Sequence, residues 1–260
     1  MKDNTRNALV CGSTQGIGKA SAIALAKNGI NVTLLARNRE KLQEVLQELP
    51  NNGNQKHHLI VADFQKLEQL QEVVSNHLKV VETIHILVNN TGGPAGGPVF
   101  SASLKEFDSA FNQHLKANHL LVQILVPTMK KAGFGRIINM ISTSVKQPLD
   151  GLGVSNTIRG AVANWSKTLA NELGQFNITV NNILPGATNT SRLQQIIENK
   201  AKKTGKSITE ITKVMQSQVP MKRFAKPEEI ANAVAFLASN KASYINGINL
   251  PVDGGRTKSL

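Results

Sequence analysis

Short apolar runs alternate with longer segments of helical spacing along most of the chain, and this alternation limits the fold more than any other feature. The apolar runs that predict strands span residues 7–11, 30–36, 58–62, 84–89, 136–141, 178–184 and 248–252. The segments that predict helices span residues 16–28, 40–49, 67–81, 104–131, 153–173 and 227–239. Strands that alternate with helices form a parallel sheet covered on both faces. The sequence therefore predicts an α/β fold with a doubly wound parallel sheet of about seven strands, in three α/β/α layers.

A glycine-rich turn, Cys11-Gly12-Ser13-Thr14-Gln15-Gly16-Ile17-Gly18, joins the first predicted strand to the first predicted helix. Gly12 permits a tight turn, Gly16 lets the backbone approach a pyrophosphate, and Gly18 lets the helix pack on the strand. Phosphates then lie at the helix N-terminus, where free N–H groups favour negative charge. This placement is typical of the Rossmann fold, so the whole turn is predicted to bind a nicotinamide dinucleotide: Gly12, Ser13, Thr14, Gln15, Gly16, Ile17 and Gly18.

The end of the second predicted strand indicates which dinucleotide binds. A carboxylate there would bind the ribose 2′-hydroxyl of NAD and repel a 2′-phosphate. This chain has Leu35 and Ala36 instead, followed by Arg37 and Arg39, and a guanidinium can bind a phosphate in bidentate fashion. The prediction is NADP(H) in preference to NAD(H). The alternative is that both arginines belong to a solvated turn, which Asn38 fits equally well.

No internal repeat or low-complexity linker divides the chain, so residues 1–260 are predicted to form a single Rossmann-type domain. Residues 188–220 interrupt the alternation with a long, polar, amphipathic stretch that has no strand of its own. Such stretches are usually lids or disordered excursions, and we predict a lid-like insertion. The glycine- and proline-rich residues 91–98 form either a shaped loop over the substrate or a compact connector.

The amino-acid composition indicates the cellular compartment and the kinds of binding partner. The single cysteine, Cys11, excludes a disulfide within the chain and favours a reducing compartment, so a cytoplasmic protein is predicted. No apolar run approaches the ~20 residues that span a bilayer, and the polar residues 1–7 do not resemble a signal peptide. The net charge of +13 suits anionic partners. The basic residues are spread along the chain without interleaved aromatics, however, so nucleic acid is an improbable partner. No metal site is predicted.

The spacing Gly-x-x-x-Gly-x-Gly on a strand, turn and helix resembles the short-chain dehydrogenase/reductase family, nearest its 3-oxoacyl-(acyl-carrier-protein) reductase branch. Asn89-Asn90-Thr91-Gly92 is similar to that family's Asn-Asn-Ala-Gly, and residues 223–231 and 252–255 resemble its late motifs. The resemblance implies that Asp63 holds the adenine and that Asn89, Thr91 and Gly92 border the cofactor. It also implies that Pro185, Gly186 and Thr188 lie against the nicotinamide carboxamide.

The resemblance also locates the family's catalytic positions. Ser142 occupies the serine position, and His114 falls on the asparagine position. Counting back from residues 167–173 puts the tyrosine position on Ser155 and the lysine position on Arg159, four residues apart on one helix face. The chain's only tyrosine, Tyr244, lies near the end, and no tyrosine precedes a lysine by four. The usual phenol acid is therefore predicted to be absent, although Ser142, His114, Ser155 and Arg159 remain the candidate catalytic residues.

Three functions stay open. The first is NADP(H)-linked reduction of a carbonyl in a small-molecule or acyl-thioester substrate, with another proton source. That source could be water, or His114 because histidine titrates near neutrality, or Lys146; both side chains could equally be ordinary polar residues. The second is a non-catalytic dinucleotide-binding sensor or scaffold. The third is an interaction protein with a vestigial nucleotide site.

Two further expectations concern binding partners. The lysines Lys202, Lys203 and Lys206, inside the predicted lid, would suit an anionic substrate such as a carrier-bound thioester. The family resemblance implies a homo-oligomer, a dimer or tetramer, in which the two long predicted helices at 104–131 and 153–173 pair between subunits.

Overall fold

A computed structural model describes residues 5–259, and it contains one sheet of seven parallel strands in the order β3-β2-β1-β4-β5-β6-β7. The strands are β1 Asn7–Cys11, β2 Asn31–Ala36, β3 His58–Val61, β4 Ile86–Asn89, β5 Gly135–Met140, β6 Ile178–Pro185 and β7 Asn249–Val252. The strand order reverses between β1 and β4, and ligands of such sheets bind at the carboxyl ends of the strands at that point. The predicted fold class is confirmed.

Nine α-helices connect and cover the strands in the described part of the chain. They are α1 Gly16–Lys27, α2 Arg39–Glu48, α3 Leu67–Val81, α4 Leu104–Phe111, α5 Ala117–Ala132, α6 Gly153–Leu173, α7 Ser191–Thr204, α8 Ile208–Ser217 and α9 Pro227–Ala238. One apolar core joins the sheet to α1, α2 and α9, and a second joins the opposite face to α3, α5 and α6. The two cores give the three predicted layers.

The alternation of side chains along β1 shows why both faces are apolar. Ala8 and Val10 enter one core, whereas Leu9 and Cys11 enter the other, and all four are 0–1% exposed. A strand covered on both faces is expected to be a nearly continuous apolar run. No helix within residues 5–259 is long and apolar enough to cross a membrane. Residues 1–4, part of the segment judged not to be a signal peptide, and Leu260 lie outside the described residues.

The long helix predicted at 104–131 is interrupted, so that prediction is wrong in its middle. A turn of π-helix at Asn112–Lys116 separates α4 from α5. The wider turn carries His114 into the protein, where its Nδ1 lies 2.5 Å from the Thr91 hydroxyl. The apolar pattern at 104–131 did not predict this turn, because π-helical turns are rare single-turn interruptions of α-helices.

The region at 188–220 is an ordered helical pair, α7 and α8, rather than a disordered excursion. The Thr190 hydroxyl caps α7 by accepting from the Leu193 N–H, and Ser207 with Glu210 forms a capping box at the start of α8. Leu193, Ile197 and Ile211 form a small buried cluster between the two helices. The lid role of this pair remains a prediction.

A row of asparagines crosses half of the sheet. Asn89, Asn139, Asn182 and Asn249 lie in register on β4, β5, β6 and β7. The side-chain amides of the first three donate from Nδ2 to Oδ1 of the next asparagine, at 2.8, 3.1 and 2.8 Å. Buried polar groups require such partners, and the row supplies them from side chain to side chain across four strands.

Candidate active site

The glycine turn packs tightly against the residue that follows β4. Gly12 has a φ of +58°, and a Cβ there would lie 2.5 Å from the Asn90 carbonyl oxygen. The Asn90 amide donates to the carbonyl oxygens of Cys11 and Gly12, both at 3.2 Å. Sequence reasoning left Asn90 out of the site, although the alternation of side chains along a strand could have placed it. Asn89 and Asn90 point to opposite faces of the sheet, and the face of Asn90 is the one on which the glycine turn lies.

The N-terminus of α1 is open toward this turn. Gln15 occupies the N-cap position in extended conformation, and no side chain caps the helix there. The first N–H groups of α1 are therefore available to an anion. Gly18 brings the helix so close that a Cβ would lie 2.1 Å from the Gly12 carbonyl oxygen, and a Cβ at Gly16 would lie 3.0 Å from the Thr190 methyl group. A bare-backbone cradle of this kind fits a pyrophosphate.

The remaining residues of the turn differ in exposure. Ser13 is fully buried, with its hydroxyl 3.5 Å from the Leu35 carbonyl oxygen. Thr14 is half-buried and Gln15 is exposed, whereas Ile17 packs against the core. The structure thus brings the seven predicted turn residues to one place, with Thr14 and Gln15 facing outward.

Two arginines stand free beyond the end of β2. Arg37 and Arg39 are both exposed, and within residues 5–259 neither forms an ion pair. Asn38 between them caps α2 by accepting from the Lys41 N–H at 2.7 Å. Asp63, which follows β3, is half-buried and accepts from the Gln65 N–H at 3.0 Å. The edge of the site beyond β2 thus has two unneutralised cations.

The end of β4 connects the turn to the π-helical segment. The Asn89 side chain points into the sheet and joins the asparagine row, so only its backbone can border a ligand. The Thr91 hydroxyl contacts His114, and the Gly92 carbonyl oxygen accepts from the Gln113 amide at 3.2 Å. Gln113 was not predicted, because its contact depends on the π-helical turn.

His114 is neutral in the folded protein. Its side chain is 1% exposed, and among the described residues its Nε2 has no hydrogen-bond partner. Burial, reinforced by the positive charge of Arg159, lowers the pKa of His114 to about 2. The interpretation of His114 as a proton donor that titrates near neutrality is therefore wrong, because its sequence-based pKa ignored burial.

We expect this burial to make stability fall in mild acid. The unfolded chain takes up a proton at His114 near pH 6.5, whereas the folded protein does not, so stability declines as the pH drops below 6.5. The contribution of His114 between pH 7 and pH 5 is about 2 kcal/mol. Urea unfolding at both pH values should show a smaller decline in His114→Gln. A residual slope remains from His77, whose pKa burial lowers to about 4.

The matched control for this prediction is His119→Gln, because His119 is exposed on α5. Its decline between pH 7 and pH 5 should equal that of the unsubstituted protein. An equal decline in both variants would contradict the assignment of the acid sensitivity to His114.

Ser142, Ser155 and Arg159 frame the region beyond β5. Ser142 is half-buried, and its Oγ accepts from the Ser144 N–H at 3.1 Å. Arg159 on α6 is 8% exposed and donates from Nη1 to the Met140 carbonyl oxygen at 2.8 Å. Burial lowers the pKa of Arg159 to about 10, so it stays charged at neutral pH. Ser155 lies one turn earlier on α6 and is half-buried.

The segment after β6 is fixed in place from two sides. A Cβ at Gly186 would lie 2.6 Å from the Asp253 Cα, so only glycine fits there. Thr188 is 5% exposed, and its hydroxyl donates to the Gly186 carbonyl oxygen at 3.0 Å. The Asn189 N–H donates to the Ala225 carbonyl oxygen at 2.8 Å. Pro185, Gly186 and Thr188 thus lie at the carboxyl edge of the sheet, and their contact with the nicotinamide carboxamide remains a prediction.

The loop at 91–98 lies between α6 and α7. Gly97 forms a bridge with Leu152 at the start of α6. The Arg192 guanidinium, from the first turn of α7, donates to the Pro94 carbonyl oxygen at 2.7 Å. These contacts agree with a shaped loop that connects the helical pair to the rest of the site.

The comparisons with known proteins agree with this geometry. A family model described as enoyl-(acyl carrier protein) reductase matches residues 12–257. The chain is 30% identical over 256 residues to the NADPH-dependent reductase BacG of Bacillus subtilis (strain 168), over 98% of this chain and 99% of BacG. It is 32% identical over 249 residues to the 3-oxoacyl-[acyl-carrier-protein] reductase FabG of Aquifex aeolicus (strain VF5), over 95% of each chain.

Solved structures show the same similarity. The crystal structure of YwfH, an NADPH-dependent reductase involved in bacilysin biosynthesis, has a TM-score of 0.94 at 30% identity and covers 99% of this chain and 100% of that one. L-sorbose reductase from Gluconobacter frateurii, complexed with NADPH and L-sorbose, has a TM-score of 0.92 at 32% identity and covers 98% of each chain. The chain belongs to the short-chain dehydrogenase/reductase family.

Proposed function

We propose that the protein is an NADP(H)-linked reductase of a small carbonyl compound, a 3-oxoacyl compound or a similar one, with an atypical active site. The bare-backbone cradle of Gly12, Gly16 and Gly18 carries this proposal, because side chains at these positions would collide with the turn or narrow the space above it. The relatives that bind or use NADPH support the choice of nucleotide. The predictions of a single domain, a lid at 188–220, a cytoplasmic location and a homo-oligomer also belong to this proposal.

We assign each group of site residues to one part of the cofactor or the substrate. The turn and the open N-terminus of α1 hold the pyrophosphate, and Arg37 and Arg39 face the 2′-phosphate. Asp63 borders the adenine, and the segments at Asn89–Gly92 and Pro185–Thr188 border the nicotinamide. When bound, NADPH supplies the hydride that reduces the substrate carbon. The Ser142 hydroxyl donates a hydrogen bond to the carbonyl oxygen, where negative charge develops.

The proton reaches that oxygen by an unusual route. We assign Ser155 to the family's tyrosine position and Arg159 to its lysine position, and an aliphatic hydroxyl is a much weaker acid than a phenol. His114 is neutral and buried, so it cannot serve as the acid. Water and Lys146 remain as candidate proton sources, and we propose that the hydroxyls of Ser142 and Ser155 orient a water molecule. The Arg159 charge, fixed by its bond to Met140, stabilises negative charge nearby.

The nucleotide preference can be tested directly. The double variant Arg37→Ser/Arg39→Ser should bind NADPH roughly 10- to 100-fold more weakly, since each guanidinium contributes a charge-assisted hydrogen bond to the phosphate. NADH affinity should stay unchanged, because NADH has no 2′-phosphate. Titration of the purified protein with each nucleotide, followed by nucleotide fluorescence, measures both affinities.

Lys41→Gln is the matched control for this titration. It removes one exposed positive charge from α2 near both arginines, so it reports the effect of net charge alone. An equal loss of NADPH affinity in this control would contradict the assignment of Arg37 and Arg39. If the unsubstituted protein bound neither nucleotide, the reductase proposal would fail and an interaction role with a vestigial site would replace it.

A non-catalytic dinucleotide sensor or scaffold is the second candidate, and the residues at the tyrosine and lysine positions favour it. General acid catalysis contributes about 10²- to 10⁴-fold to a rate, and Ser155 does not replace a phenol. A panel of ketones and 3-oxoacyl thioesters, assayed by NADPH oxidation, separates the two functions. NADPH binding without turnover of any member would establish the non-catalytic role.

A further inference from the structure

A cavity of about 250 Å³ lies directly beside the residues that follow Ser142. Its walls come from three parts of the chain: the segment after β5, the end of α8 and the C-terminal segment. The lining residues are Thr143, Gln147, Leu149, Gln218, Arg256, Thr257 and Lys258. Ser142 is not among the lining residues, but Thr143 directly follows it in the chain, so the cavity lies close to the segment that carries the hydroxyl assigned to the substrate carbonyl.

The lining of the cavity is cationic, and no acidic side chain within residues 5–259 forms an ion pair with it. Arg256 and Lys258 contribute two positive charges, and among the described residues no carboxylate lines the cavity. The ion pairs found within residues 5–259 are Lys19–Glu48 and Arg223–Glu229, so both cations are free of one. Asp253, the acid nearest in sequence, accepts from the Gly255 and Thr257 N–H groups at 3.0 and 2.8 Å.

The C-terminal segment is built into this position. Gly254 and Gly255 have φ values of +65° and +82°, which let the backbone fold around Asp253. A Cβ at Gly254 would lie 2.8 Å from the Val219 side chain, so the segment packs tightly beside Gln218. This packing positions Arg256, which is half-buried, in the lining of the cavity that it shares with Thr143 and Gln147.

We propose that this cavity binds a carboxylate of the substrate, with Arg256 as the principal contact and Lys258 as a second cation. The planar guanidinium of Arg256 matches a planar carboxylate in bidentate fashion. The hydroxyls of Thr143 and Thr257 and the amide of Gln147 can add neutral donors. This inference rests on the proposed reductase function and narrows its substrate to a small oxo acid whose carbonyl reaches Ser142.

The size and the charge of the cavity agree with that substrate class. Ligand pockets usually measure ~300–1,000 Å³, so 250 Å³ suits a compact acid better than a long acyl chain. The lysines that the sequence suggested for an anionic substrate are exposed, Lys202 and Lys203 at the end of α7 and Lys206 just after it, and none of them lines the cavity. We therefore assign recognition of the substrate's negative charge to the C-terminal segment and not to α7.

The test compares linear oxo acids of four to seven carbons with their primary amides, which have the same shape and no charge. Calorimetric titration into the NADP⁺-saturated protein should show that at least one acid binds more tightly than its amide. Arg256→Gln should weaken binding of that acid roughly 10- to 100-fold and leave binding of the amide within a factor of about three. Lys241→Gln, which removes an exposed charge outside the cavity, should leave both affinities unchanged.

Three results would overturn the proposal: equal binding of acids and amides, an equal loss of both in Arg256→Gln, or binding of inorganic phosphate in preference to every acid. Calorimetry decides the carboxylate site whether or not the acids are reduced. NADPH oxidation then decides the reductase function separately. If the acids bind but neither they nor any member of the ketone and thioester panel is reduced, the carboxylate site stands and the reductase function is refuted. Turnover of acids and amides alike would support the reductase function and refute the carboxylate site.

Discussion

Gly18→Ala should bind NADPH at least ~100-fold more weakly than the unsubstituted protein. The new Cβ would lie 2.1 Å from the Gly12 carbonyl oxygen and 2.6 Å from the Asn90 amide nitrogen. To relieve this contact, α1 must move away from the turn, and its N–H groups then no longer converge on the pyrophosphate. Overpacking of this kind also costs about 1–3 kcal/mol of stability. Nucleotide fluorescence and urea unfolding measure the two effects.

Gly160→Ala is the matched control, because Gly160 is also a helical glycine but has open space where its Cβ would stand. Alanine is a better helix former than glycine by about 1 kcal/mol, so this variant should be at least as stable as the unsubstituted protein and bind NADPH equally well. Full NADPH affinity in Gly18→Ala would show that the turn does not hold the pyrophosphate.

Ser155→Tyr, combined with Arg159→Lys, should raise the rate of carbonyl reduction by about 10²- to 10⁴-fold. The substitutions restore a phenol acid and a tunable amine at the positions that the family resemblance assigns to them. Ser155 is half-buried near the start of α6, so its side chain is not enclosed in the core and a larger one can be tested there. The measurement is kcat for the best ketone of the panel, with NADPH affinity determined alongside.

Ser155→Phe, again with Arg159→Lys, is the control for side-chain size. Phenylalanine has the ring of tyrosine without the hydroxyl, so it adds the same volume but no acid. This variant should stay at or below the original rate. A double variant with tyrosine that binds NADPH normally and gains no rate would show that proton donation does not limit turnover. The proposal that the absence of a phenol at position 155 slows the reaction would then be contradicted.

The sequence was most informative where local geometry demands a residue type. Gly12, Gly16 and Gly18 could be predicted from spacing alone, because a turn between a parallel strand and its helix restricts backbone and Cβ space locally. Helix α6 begins and ends where the apolar pattern placed it, at Gly153–Leu173. Both features depend on residues that are close together in the chain.

Features that arise from contacts between distant segments escaped prediction. The π-helical turn depends on His114 meeting Thr91, and the pKa of His114 depends on burial and on Arg159. The cavity places Thr143 beside Arg256, residues that are far apart in the sequence. Periodicity reports which face of an element is buried, but it does not report which distant side chains share that burial.

The three hydrogen bonds of the asparagine row all run in the same direction, from β4 toward β7. Asn89 therefore stands at the head of the row with its Oδ1 unpartnered among the described residues. If β5 or β7 slid by a single residue, an apolar residue would replace Asn139 or Asn249 at its position in the row, and the series of hydrogen bonds would break there. The row therefore favours one register of strands β4 to β7, and this register fixes the relative positions of the strand ends that precede Thr91 and Ser142.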